Sequence, residues 1–119
     1  MTPPDRTVWL LAAPSQTQWA NPDLLLPYGT LRTVFKSREP AWESPERTFS
    51  RLVEVFADFK PGDCIAWMGG DTLITMLAGA ALATLGINEW TWLRYIGRDD
   101  YQEIPIAFDR IASTPREAF

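Results

Sequence analysis

The sequence predicts a small α/β domain, and three observations predict it. Residues 7–13 and 64–68 are apolar almost throughout, which is the pattern of strands covered on both faces. Residues 44–59 carry apolar side chains at helical spacing, and residues 72–85 form a long run of small and apolar residues. Strands that alternate with helices are typical of a mainly parallel sheet.

The segment between the first strand and the first helix predicts an irregular connection and a short strand. Two prolines and three leucines in residues 16–28 indicate a loop with at most one helical turn, which Gly29 ends. Residues 31–35 are the expected second strand. Residues 36–43 are charged and contain proline, so we expect a loop there.

Both helices have recognisable ends. Ser44 and Pro45 are a typical helix start, because serine accepts a bond from a free backbone N–H and proline is tolerated at the first helical position. Asp71 is a candidate cap for the second helix, and Gly86 a candidate exit. The second helix is apolar nearly all round, which predicts that it lies between the sheet and another element or a second subunit.

The C-terminal part predicts an antiparallel hairpin. Residues 89–96 are rich in aromatic side chains, residues 97–100 form a turn, and residues 101–108 pair back. Pro105 has no N–H to donate, so this last strand should lie at the sheet edge. Residues 110–119 are predicted to be a flexible tail.

Together these elements predict a three-layer, Rossmann-like sheet of about five strands, mainly parallel with a C-terminal antiparallel hairpin. The chain has 119 residues, which fits one domain, placed at residues 1–109.

Composition narrows the possible functions. Cys64 is the one cysteine and histidine is absent, so no internal disulfide, no usual zinc or iron site and no His-dependent nucleophile can be built. We expect no metal, no cofactor and no catalytic residue, with Cys64 a buried apolar residue in a reducing compartment. The net charge of −4 is spread along the chain and argues against a nucleic-acid partner, and no apolar run is long enough for a membrane span.

One candidate site lies at the carboxyl ends of the strands, where open α/β sheets bind ligands. Ser15 follows the first strand, and Gly69, Gly70 and Asp71 stand between the 64–68 strand and the second helix. Glycines before a helix allow backbone N–H groups to approach a phosphate. A plain turn with Asp71 as the helix cap is the alternative, because its carboxylate occupies the place of the anion.

A second candidate is a protein interface formed by Trp42, Trp90, Trp92 and Arg94. The chain has more large apolar side chains than so small a domain can bury, and tryptophan is enriched where protein surfaces meet. We expect a protein partner or self-association, with a homodimer as the favoured form. The alternative is that the loop tryptophans fold back over the core.

The order of several motifs also resembles a group of known proteins. A strand near the start, Ser44-Pro45-Glu46 before a helix, Gly70-Asp71 before an Ala/Leu-rich helix, and an aromatic strand containing Arg94 are similar to the layout of small uncharacterised proteins of tailed bacteriophages. The resemblance spans about residues 7–108 and implies a phage accessory protein in the host cytoplasm. The leading hypothesis is therefore a non-enzymatic interaction module that binds and modulates a host macromolecule; the alternative is a small nucleotide- or phosphate-binding domain.

Overall fold

A computed structural model describes residues 5–11, 22–35, 44–66 and 72–113. They contain a five-stranded sheet with the order β2-β1-β3-β4-β5, in which β1 to β4 are parallel and β5 is antiparallel to β4. The predicted small α/β fold is confirmed. The strands are β1 Thr7–Leu10, β2 Thr30–Thr33, β3 Cys64–Ala66, β4 Glu89–Gly97 and β5 Asp100–Ala107.

The two long helices pack on the same face of the sheet, here called the helical face. Helix α1 spans Pro45–Val55 and continues as a 3₁₀ turn, and α2 spans Thr72–Thr84. The predicted start of α1 is confirmed, since Ser44 Oγ accepts a hydrogen bond of 3.4 Å from the backbone N–H of Arg47. The opposite face is covered by a seven-residue 3₁₀ helix, Pro22–Tyr28, which exceeds the single turn predicted there because Leu25 is fully buried and holds it on the sheet.

The winding of the chain explains why the helices lie on one face. The chain moves from β1 to β2 by way of the 3₁₀ helix, then crosses back over β1 to β3 by α1 and on to β4 by α2. Right-handed crossovers require that a reversal of direction along the sheet changes the face used. The reversal places the carboxyl ends of β1 and β3 side by side, which is the switch point of a doubly wound sheet.

The core on the helical face is organised by Asp63, which directly precedes β3. Its carboxylate is buried and accepts hydrogen bonds from Thr7 N (3.0 Å), Lys60 N (3.0 Å) and Trp9 Nε1 (3.1 Å). The Trp9 ring packs on Phe56 and Phe59, with centroids 5.4 and 5.9 Å apart. Asp63 therefore joins the start of β1 to the turn before β3.

The opposite face has a second core built around Leu25, Cys64, Leu93 and Tyr101. Arg6 lies beside it, donating from Nε to the carbonyl of Tyr28 (2.7 Å) and forming an ion pair with Glu103. Gly29 is required next to this arginine, because a Cβ at position 29 would overlap the Arg6 carbonyl oxygen.

Strand β5 is the sheet edge, as Pro105 predicts. Thr91 N donates to the Asp63 carbonyl (3.0 Å), so Thr91 directs its backbone polar groups towards β3. Its partner in β5 is Pro105, whose nitrogen consequently faces away from β4, where no N–H is needed for the ladder.

The end of the described chain is helical. Helix α3 spans Phe108–Ser113 and so includes the first four residues of the segment predicted to be a tail, while residues 114–119 lie outside the described residues. Within the described ranges, no helix has the length and apolar character to cross a membrane.

Candidate functional site

The predicted ligand edge can be assessed only through the strands that lead to it. Ser15, Gly69, Gly70 and Asp71 lie outside the described residues. The strands before these two loops are direct neighbours, since Leu10 of β1 pairs with Ala66 of β3. Both loops therefore leave the sheet at the switch point.

Three of the four predicted interface residues lie in one row on β4. Trp90, Trp92 and Arg94 alternate along the strand and so project from its helical face. The two indole rings meet edge to face, with centroids 6.5 Å apart. Arg94 is exposed, and its Nη1 donates to Gln102 Oε1 at 3.5 Å. Trp42 lies outside the described residues.

The two tryptophans form one wall of a half-open cavity between α2 and the sheet. Its volume is about 140 Å³, and its lining is almost wholly apolar. Helix α2 supplies one side and the strand residues supply the floor. The lining residues are Leu11, Ile65, Thr75, Ala78, Gly79, Trp90 and Trp92.

Gly79 is an unusual residue for the middle of α2. Glycine in a helix interior costs about 1 kcal/mol relative to alanine. No close neighbour requires it here, because a Cβ built at position 79 would have no heavy atom within 4 Å. The glycine instead keeps the helical wall of the cavity open.

Trp90 also carries a polar group without a partner. Its Nε1 is buried and makes no hydrogen bond within the described protein. A buried donor left unpaired costs about 1–3 kcal/mol, and such groups are rare in folded proteins. The cavity wall therefore contains an unused hydrogen-bond donor.

The described residues cover α2 on one side. Its buried positions are Ile74, Ala78, Ala81 and Leu82, whereas Met76 is 68% exposed. The second covering layer predicted from the apolar sequence is not found in the parts of the chain that are described. A second subunit on this side stays a prediction.

Reactive groups do not gather at the cavity. Burial raises the pKa of the Cys64 thiol to about 11, so the thiol is protonated at neutral pH, and the side chain packs on the opposite face of the sheet. In the described ranges, no group of three or more histidine, cysteine, aspartate or glutamate residues could hold a metal ion. The cavity is suited to binding apolar groups.

The chain was compared with protein-family models, curated proteins and solved structures, and none of them matches it. The site therefore rests on its own geometry. Sequence reasoning found Trp90, Trp92 and Arg94 but missed the cavity. The signal that could have indicated it is Gly79, an isolated glycine inside a predicted helix.

Proposed function

We propose that this protein is a non-enzymatic interaction module whose binding surface is the row Trp90, Trp92 and Arg94 together with the adjoining cavity. The observation that supports the proposal is the location of this row beside an apolar cavity of about 140 Å³. Tryptophan and arginine are the residues most enriched among those that dominate binding energy at protein interfaces.

The chemistry of the surface defines the partner. The cavity has room for one apolar group, which would act as the anchor. Arg94 makes no ion pair with any described residue, so its guanidinium can pair with a carboxylate. The expected partner is a protein segment with an apolar side chain close to an acidic one, and the bacteriophage resemblance makes a bacterial host protein the first class to test.

A peptide-display selection tests this proposal. Peptides selected on the wild-type protein should combine an apolar anchor with an aspartate or glutamate. Trp92→Ala and Arg94→Glu should each weaken binding of the selected peptides at least tenfold. Arg47→Glu, the same charge reversal on the exposed surface of α1, should leave the affinity unchanged. Equal binding by all variants would contradict the proposal.

Self-association on the same surface is a distinct outcome. Pairing through the β5 edge is disfavoured, because Pro105 lacks an N–H and the Tyr101 N–H donates to Asp100 Oδ1 at 2.8 Å. A homodimer would therefore use the row on β4. Light scattering decides this: a mass that stays at 13.5 kDa up to roughly 100 μM excludes a standard interface, and Trp92→Ala should dissociate any dimer.

A second candidate function is nucleotide or phosphate binding at the switch point. The adjacency of the carboxyl ends of β1 and β3 favours it. A thermal-shift screen with a nucleotide panel tests it, since a ligand at 100 times its dissociation constant adds about 2.7 kcal/mol of stability. A melting temperature unchanged by every nucleotide would reject this function.

A further inference from the structure

We infer that the cavity between α2 and β4 binds one six-membered aromatic ring that carries a hydrogen-bond acceptor, as a phenol does. The ring can come from a free small molecule or from a tyrosine side chain of the partner. The second source rests on the proposed function, whereas the first does not.

The size of the cavity sets the limit of one ring. An apolar protein cavity of about 150 Å³ is known to stay dry and to bind benzene. The volume here, about 140 Å³, is close to that value. One ring fits, whereas a fused two-ring system would have to protrude through the open side.

The walls favour an aromatic occupant over an aliphatic one. Trp90 and Trp92 already contact each other edge to face at an interplanar angle of 84°, and a third ring can extend this arrangement at a further gain beyond area burial. Across the cavity, Gly79 leaves the α2 backbone uncovered. A flat ring can approach a glycine more closely than it could any residue with a side chain.

The unpaired indole N–H explains the acceptor. Trp90 lines the cavity, and its buried Nε1 has no partner in the described protein. A hydroxyl oxygen on the ring would accept from it and remove the cost of the unpaired donor. Toluene has nearly the same shape as phenol and lacks the acceptor, so this pair of probes isolates the hydrogen bond.

The test is an NMR titration of the full chain, followed through the indole N–H signals of Trp90 and Trp92. Phenol should shift both signals and bind about tenfold more tightly than toluene, the factor expected from one neutral hydrogen bond. Trp90→Phe keeps a ring and removes the donor. It should bring the phenol affinity down to that of toluene and leave toluene binding unchanged.

Two variants on neighbouring positions of α2 control for the location. Gly79→Leu should weaken binding of both probes at least tenfold by occupying the space. Ala80→Leu adds the same side chain at an exposed position that does not line the cavity, and it should bind as the wild type does. Circular dichroism shows whether each variant is folded, and Thr75→Leu, at another lining position, replaces Gly79→Leu if that variant is not.

Three results would overturn the inference: no shift of either indole signal at 10 mM probe, unchanged binding in both cavity-filling variants, or toluene binding as tightly as phenol. N-acetyltyrosinamide separates the two sources. If it binds like phenol, the ring can belong to a protein partner. If phenol binds and N-acetyltyrosinamide does not, the ligand is a free molecule, and the proposed protein anchor fails while this inference stands.

Discussion

Trp9 and Trp90 are both tryptophans on the helical face of the sheet, yet their surroundings differ completely. The Trp9 ring is fully buried, its N–H donates to Asp63, and two phenylalanine rings pack against it. The Trp90 ring is partly buried and borders a cavity, and its N–H has no partner in the described protein. The first region satisfies its polar groups internally, whereas the second leaves both space and a donor unused.

This difference separates a residue that stabilises the fold from one that is available for binding. At Trp9 the packing and the hydrogen bond are complete, so nothing further can bind there. At Trp90 the protein bears the cost of an unpaired donor and of a helix glycine. Features that cost stability in a folded domain are commonly found at functional sites.

The largest expected effect tests the closed region around Trp9. Asp63→Ala leaves three donors without an acceptor, one of them the buried indole N–H, and should lower the free energy of unfolding by about 4 kcal/mol. Urea denaturation measures the loss. Asp63→Asn retains one acceptor oxygen and should lose about half as much. A loss below about 1 kcal/mol for Asp63→Ala would show that water replaces the carboxylate.

Replacing each tryptophan by phenylalanine tests the comparison directly. Trp9→Phe removes packed atoms and leaves Asp63 with one donor fewer, so stability should fall by about 2 kcal/mol. Trp90→Phe removes an unpaired donor beside an existing cavity, so stability should stay within about 1 kcal/mol of the wild type. Equal losses in chemical denaturation would remove the distinction between the two regions.

Alkaline pH acts on residues of the opposite face. Burial raises the pKa of Cys64 from 9.0 to about 11 and that of Tyr101 from 10.0 to about 12. The unfolded chain releases these protons first, so stability is complete below pH 9 and falls as the pH rises. Each group contributes a slope of about 1.4 kcal/mol per pH unit within its window. Denaturation of Cys64→Ala as a function of pH should show the fall beginning nearer pH 10, and an unshifted onset would contradict the assignment.

The smallest expected effect concerns the open region. Gly79→Ala should raise the free energy of unfolding by about 1 kcal/mol, because alanine favours the helix and its Cβ meets no neighbour. Thermal and urea denaturation measure the gain. A loss of stability would show that the space beside Gly79 is already filled.

Much of the fold follows from short stretches of sequence. Ser44 and Pro45 start α1, the aromatic run and turn near residue 97 form the hairpin, and Pro105 marks the sheet edge. These features depend on propensities and hydrogen bonds that act within a few residues. The same local signals placed Trp90, Trp92 and Arg94 on one strand, and strand alternation then puts them on one face.

Other features required the tertiary structure. Trp9 and Asp63 are 54 residues apart in the chain, so no local pattern reveals that one satisfies the other while Trp90 is left without a partner. The cavity likewise exists only once α2 lies across β1, β3 and β4, because its volume depends on how far the helix stands from the sheet. Sequence determined which side chains were available, and the packing of distant elements decided which of them are enclosed and which still have room to bind.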